Sequence, residues 1–168
     1  MKEMTKENLK AAFAGESQAY MKYLIFAEKA EREGFSEVAR LFEAIAYAER
    51  VHATNHLREL GGIGDTAANL ATALSGEAYE TAEMYPAFGA VAKLQEEKGA
   101  TRSMFYAEEA EKTHEVMYAD AQAMVAAGKD LPKAAGIYVC PVCGHTHIGE
   151  QPDKCPVCGL PGAKYRKF

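Results

Sequence analysis

Apolar residues recur at intervals of three and four through most of the first four-fifths of the chain, the spacing of amphipathic helices. From about Thr5 to Glu33, Leu9, Phe13, Tyr20, Tyr23, Leu24 and Ala27 share one broad face. Gly34 is placed to end that helix, and Ser36 to cap the next. The second pattern runs to about Leu60 with Leu41, Ile45 and Ala48 on its inner face, and Gly61-Gly62-Ile63-Gly64-Asp65 breaks it. A third runs from about Ala67 to Lys98 through Leu70, Leu74, Met84, Phe88 and Val91, with Pro86 predicting a kink or local break. Gly99 is read as the next turn. A fourth, from about Thr101 to Ala127, carries Met104, Ala107, Tyr118, Ala121 and Val125, and Gly128 closes it.

Four helices with one apolar stripe each bury those stripes best as an all-α four-helix bundle. Residues Gly128 to Gly136, with Pro132, read as a linker. From Ile137 onward helical periodicity stops, while Cys, Pro and Gly become dense. The expected organisation is a bundle over residues 1–131, then a small metal-bound β and knuckle domain over 132–168. A tail of that size without tryptophan cannot build a sufficient core, so it needs a staple.

Charge narrows the function classes. The formal net charge of −5 is spread along the chain, which argues against a general nucleic-acid surface. No apolar run is long enough to cross a bilayer, so no membrane partner is expected. Met1-Lys2-Glu3-Met4 lacks the layout of a secretory signal, and the expected location is cytoplasmic.

The informative observation is acid inside the apolar faces. Glu16 lies between Phe13 and Tyr20. Glu49 and His52 form E-x-x-H, Glu77 and Glu80 form E-x-x-E, and Glu111 and His114 form a second E-x-x-H. A spacing of three puts both members of each pair on one side of a helix. Buried carboxylates are costly and repel one another, and bound cations remove both objections. One Glu from each of two helices and a Glu-x-x-His from each of the other two is the bundle arrangement for two metal ions. Carboxylate and imidazole suit iron or manganese. A lone E-x-x-H in a Glu-rich chain is usually surface pattern; it is the four matched segments that point to metal.

Glu80 is surplus to the symmetric set, and Glu80 and His52 are the expected exchanging pair. Glu83 reads as solvent-facing or hydrogen-bonded to a ligand, and His56 as a packing or hydrogen-bonding histidine. Most tyrosines of these helices read as core with a polar handle. Tyr23 and Tyr85 are the two expected beside the metals.

All four cysteines lie in two identical C-P-V-C-G knuckles, Cys140 to Gly144 and Cys155 to Gly159. This is a strong signal for tetrahedral thiolate ligation of one metal. Zinc and iron are both compatible, iron carrying electrons and zinc only stapling. Two disulfides are the competing reading, disfavoured in a cytoplasmic chain. His145 and His147 read as exposed loop residues.

With these motifs in hand, the chain from Leu9 to Phe168 resembles the rubrerythrin family, which joins a ferritin-like di-iron bundle to a rubredoxin-like C-terminal domain. The resemblance rests on Gly15 to Ala19, Glu49 to Ala53, Gly76 to Glu80 with Glu83 to Pro86, Glu111 to His114 and the two knuckles. It implies di-iron ligands at Glu16, Glu49, Glu77, Glu80, Glu111 and His114, a redox-dependent ligand at His52, and active-site tyrosines at Tyr23 and Tyr85. Cys140, Cys143, Cys155 and Cys158 would hold a third iron, with zinc or manganese as possible substitutes.

The implied activity is peroxidase: hydrogen peroxide reduced to water, with electrons relayed through the cysteine centre from a separate reductase or rubredoxin fed by NAD(P)H. The implied physiology is oxidative-stress defence. An oxidase or ferroxidase, or an iron-handling ferritin-like protein with a structural zinc tail, is the alternative. Since helices of about 38 Å separate a bundle centre from its tail, a head-to-tail homodimer is expected. Helix exchange through Gly61 to Asp65 is one form it could take.

Overall fold

The structure is a computed structural model that describes residues 1–133 and 136–168. Of the expected linker, Ala134 and Ala135 lie outside the described residues. The observed class is the expected one: the all-α part of a four-helix bundle protein, followed by a small sheet domain with a four-cysteine cluster. The helices are α1 (Glu3–Arg32), α2 (Ser36–Glu59), α3 (Thr66–Tyr79), α4 (Tyr85–Leu94) and α5 (Lys98–Ala126). Between α3 and α4 the chain makes a π turn, Glu80–Met84, and Pro86 sits in the first turn of α4, where its missing N–H costs nothing. The break expected at Pro86 is therefore a π turn followed by a restarted helix.

Helix ends differ in detail from the expected ones. Ser36 is the first residue of α2 rather than its cap, and its hydroxyl bonds Glu31 at 3.3 Å. Asp65 does cap α3, accepting from Ala68 N–H at 2.8 Å. The turn before α5 is made by Glu96, not Gly99, which lies inside the helix. Glu96 takes φ +58°; its N–H bonds Lys93 O at 3.1 Å, and that of Glu97 bonds Ala92 O at 3.0 Å. The same double closure ends α1, where the left-handed residue is Gly34.

The chain divides into two compact units, 1–64 and 65–168. In the first, α1 packs on α2, and the buried positions are Ala27, Ala30, Ala39, Ala46 and Ala53. Small side chains there let the helix backbones approach closely. Leu41 and Ile45, expected on an inner face, are 57 % and 40 % exposed, because the helix pair meets along its alanines. Tyr23, Phe26 and Phe42 form an aromatic cluster, with ring centroids 5.7–6.4 Å apart.

In the second unit α3, the π turn and α4 pack on α5. The C-terminal segment folds into a three-stranded antiparallel sheet of order β2-β1-β3, with β1 at Gly136–Val139, β2 at Thr146–Gly149 and β3 at Arg166–Lys167. Its core is Tyr138, Tyr165 and three buried cysteines, with Tyr106 of α5 packed against it. The tail thus packs on α5 of its own chain. No helix among the described residues is long and apolar enough to cross a membrane.

Candidate metal centres

In the first unit, Glu16 comes from α1 and Glu49 and His52 from α2. Their ligand atoms lie within 4.8 Å of one another. His52 Nδ1 is 3.0 Å from Glu49 Oε2 and 3.9 Å from Glu16 Oε1. In the second unit, Glu77 of α3 meets Glu111 and His114 of α5 in the same pattern. His114 Nδ1 is 2.5 Å from Glu111 Oε2 and 3.9 Å from Glu77 Oε2. Each unit thus carries one Glu plus one Glu-x-x-His, half of the symmetric donor set, and Glu80 belongs to neither cluster among the described residues.

The second cluster has the electrostatics of a cation site. Glu77 Oε2 is buried without a hydrogen-bond partner among the described residues. Burial, then the neighbouring Glu111 carboxylate, push Glu77 up to about 7, with Glu80 and Glu115 adding to the repulsion. Glu80, first residue of the π turn, is also held above the usual carboxylate range by burial and by Glu111, partly offset by His114. Burial and the carboxylates of Glu80, Glu111 and Glu77 raise the Tyr85 hydroxyl, which keeps its proton. A π turn often marks a functional site, since its extra residue re-aims the side chains around it. Thr81 anchors this one, donating to Glu115 Oε2 at 2.7 Å. A divalent or trivalent cation would satisfy the orphaned oxygen and quench the repulsion.

Glu83 is exposed, and His56 belongs to no ligand cluster among the described residues. Tyr23 stands in the aromatic cluster of the first unit.

In the tail, the four sulfurs lie within 4.8 Å of one another. Cys140–Cys158 and Cys143–Cys155 Sγ pairs are 3.5 Å apart, far beyond the ~2.05 Å of a disulfide. They are near the ~3.8 Å edge expected of a tetrahedron with metal–sulfur bonds of about 2.3 Å. The disulfide reading therefore fails. Each knuckle closes identically: Gly144 N–H bonds Cys140 O and Gly159 N–H bonds Cys155 O, both at 3.0 Å. Both glycines have positive φ, +81° and +77°, which is why glycine follows each C-P-V-C. Burial opposes ionisation of Cys155, but the N–H groups of Cys158 and Val157 and the Tyr165 hydroxyl prevail and bring it down to about 6. One thiolate is thus prepared by the fold itself, while burial holds Cys143 above the ordinary thiol range.

Three residues here were missed or misread in the sequence. His145 is buried at 8 % exposure, not a loop residue in solvent; its Nδ1 lies 3.1 Å from the Tyr165 hydroxyl, and burial lowers its pKa. His147 is half-buried on β2 opposite Tyr138. Thr146 Oγ1 lies 2.8 Å from His114 Nε2, joining tail to cluster. No local spacing could reveal that contact, which spans 32 residues.

Comparison with known proteins agrees with these features. Residues 7–122 match the family described as Rubrerythrin, and residues 138–166 match "Rubrerythrin, rubredoxin-like domain". The chain is 40 % identical to Rubrerythrin-2 of Clostridium acetobutylicum, over 98 % of this chain and 97 % of that one. It is 40 % identical to Nigerythrin of Nitratidesulfovibrio vulgaris, over 94 % and 83 %. The solved structure of nigerythrin in its fully reduced, all-ferrous state matches with a TM-score of 0.59 at 34 % identity, covering 98 % of this chain and 86 % of that one. Matched carboxylate–histidine clusters, a four-thiol tail behind them and likeness along nearly the full length all lead to one assignment: the chain belongs to the rubrerythrin family, with a ferritin-like di-iron domain followed by a rubredoxin-like domain.

Proposed function

We propose that the protein is a peroxidase that reduces hydrogen peroxide to water at a di-iron centre, with electrons delivered one at a time through an iron held by Cys140, Cys143, Cys155 and Cys158. The single observation that carries this reading is the pairing of two carboxylate–histidine clusters with a four-thiol site in one chain. Glu16, Glu49 and His52 together with Glu77, Glu80, Glu111 and His114 are the ligands of one centre in this reading. That centre would be completed within a chain or across a head-to-tail pair of chains. The domain limits proposed for the two activities are 1–131 and 132–168.

A pair of ferrous ions, when bound by these residues, would supply the two electrons needed to split the O–O bond. The chain's own groups do the rest. Seven donors would hold the metals, and the five carboxylates among them, Glu16, Glu49, Glu77, Glu80 and Glu111, would neutralise charge in the oxidised state. Tyr85, protonated and facing three carboxylates, is the hydrogen-bond donor for a bound oxygen species. Tyr23 has the corresponding role on the first unit. Solved structures of the relative nigerythrin are described as fully reduced (all ferrous), partially reduced and mixed-valent. That likeness supports iron rather than zinc in the thiol site, which would make the tail an electron carrier. The electrons are proposed to come from NAD(P)H through a separate reductase or rubredoxin.

The test is anaerobic mixing of the fully ferrous protein with hydrogen peroxide or with oxygen, following the visible thiolate-to-ferric bands of the tail. Fast oxidation by peroxide, with one peroxide consumed for each pair of bundle ferrous ions, is expected. Oxidation by oxygen at an equal or greater rate would replace the peroxidase reading with an oxidase, and an iron-free, zinc-filled tail would remove the relay.

A further inference from the structure

The tail and the second carboxylate–histidine cluster share one side-chain bridge. Thr146, first residue of β2, places its hydroxyl 2.8 Å from His114 Nε2 and 3.1 Å from the carbonyl oxygen of Gly144. A hydroxyl has one proton. Pointed at the Gly144 carbonyl, which can only accept, it leaves the oxygen to accept from His114. Both contacts are hydrogen bonds only if His114 carries its proton on Nε2. Nδ1 then presents a lone pair toward Glu111 Oε2 and Glu77 Oε2, which are acceptors as well. Acceptors facing one another call for a cation between them, either a metal ion or a second ring proton that makes His114 an imidazolium donating to Glu111. The outer ring nitrogen of a metal-binding histidine is commonly fixed by such a partner, which sets the tautomer and the ring's orientation.

We propose that Thr146 is a positioning residue for His114: its hydroxyl holds Nε2 protonated and Nδ1 as the ligand nitrogen, and it makes a bonded path from the Cys143 knuckle to the cluster of the same chain. The path runs from Cys143 through the peptide to the Gly144 carbonyl, across two hydrogen bonds and into the imidazole. An apolar hollow lined by Leu70, Met117, Ile137 and Ile148 adjoins both side chains, and a low-dielectric surround strengthens the bonds. With iron in both sites, each passage along this path would oxidise the ferrous tail ion by one electron and reduce a ferric bundle ion by one. No proton moves, since Nε2 and the hydroxyl keep theirs. The electron-transfer part rests on the peroxidase reading; the tautomer does not.

The experiment compares full-length wild type, Thr146→Ser and Thr146→Val. In zinc-loaded protein, which is diamagnetic, long-range proton–nitrogen spectra read the His114 tautomer. Wild type and Thr146→Ser are expected to show Nε2 protonated with its proton hydrogen-bonded, and Thr146→Val is expected to lose that hydrogen-bonded signal. In iron-loaded protein, ferrous affinity of the bundle and the rate of tail-to-bundle electron transfer are expected to fall about tenfold in Thr146→Val and to recover in Thr146→Ser. A wild-type His114 protonated on Nδ1 would overturn the proposal, and this measurement needs no variant to fold. So would a Thr146→Val protein with unchanged His114 signals and iron affinity, or a Ser variant as impaired as the Val variant. If the tautomer is as stated but Thr146→Val transfers electrons from tail to bundle at the wild-type rate, the electron path is overturned and the positioning role stands; wild type that does not reduce peroxide would remove the peroxidase reading and leave the tautomer untouched.

Discussion

Glu77 places Oε2 3.9 Å from Nδ1 of His114, buried and with no hydrogen-bond partner among the described residues. An ordinary core would have paired that oxygen or replaced it. The arrangement makes sense as a receptor waiting for positive charge, and it sets how stability responds to pH and to metal.

In the metal-free protein the pKa of Glu77 is raised, from 4.5 to about 7. A raised acid favours the fold in its protonated form. Its contribution is therefore complete below about pH 4.5 and is lost as pH climbs toward 7. Glu77→Gln carries no charge to bury. Stripped of metal, the variant should melt a few degrees above wild type at pH 8, and the gap should close near pH 4.5. Loaded with iron the order should invert, because a ligand is gone. Calorimetry at the two pH values, with and without metal, checks both signs. A metal-free gap that is unchanged between pH 4.5 and 8 would contradict the electrostatic account.

The tail should melt by itself when its metal is removed. Its core consists of Tyr138, Tyr165 and the cysteines, so the sulfurs are both ligands and packing. Cys155→Ser replaces the thiolate that the fold has already prepared. It should abolish the tail's visible bands and its dispersed strand resonances, since metal binding supplies the folding free energy of such sites. Helical circular dichroism and bundle iron should stay within a tenth or so of wild type. Parallel loss of bundle iron would show that the two sites are not separable.

Glu96→Gly should stabilise the protein. Glu96 fills the left-handed position of a helix-ending motif that Gly34 fills at the end of α1. A side chain there costs roughly 1–2 kcal/mol, and glycine's extra unfolded-state entropy returns about 0.5–1 kcal/mol of that. A net gain of about 0.5–1 kcal/mol is expected, a rise in Tm of roughly 2–4 °C or less. A lower Tm would mean that the Glu96 side chain contributes more than its backbone strain removes.

Much of this was legible from spacing. Helix limits fell within a few residues because glycines and Asp65 punctuate the chain, and the ligands stood out because acids at intervals of three interrupt apolar faces. Other features depend on packing between distant segments. Gly99 looked like a turn, yet backbone closure onto Ala92 and Lys93 put Glu96 there instead. Leu41 and Ile45 looked like the inner face of α2, but α1 meets α2 along alanines, which a size-weighted reading passes over. His145 looked solvated because the four sulfurs complete the site without it; its burial follows from Tyr165, twenty residues on, closing over the knuckle.

The last prediction concerns Glu80 and His52. Glu80 opens the π turn and feels the charge of Glu111 and the imidazole of His114, but it is not among the tightly clustered donors. His52 belongs to the other cluster and is 53 % exposed. Both therefore have room to move, which a redox-dependent ligand needs. We expect Glu80 to bind in the diferric state, where excess positive charge rewards a carboxylate. On reduction that charge would drop by two, and in the shared centre proposed above the neutral imidazole of His52 would become competitive. Glu80→Ala should still take up iron, because Glu16, Glu49, Glu77, Glu111 and His114 remain. It should turn over peroxide more slowly by about tenfold, the equivalent of ~1.4 kcal/mol, since the oxidised state loses its neutralising ligand. His52→Ala should instead weaken ferrous binding and leave the ferric spectrum near that of wild type. Crystal structures of the oxidised and reduced protein, with metal occupancy confirmed, give the direct reading. The same ligand at that iron in both states would remove the exchange, while the remaining ligands and the cysteine tail would still support peroxide reduction.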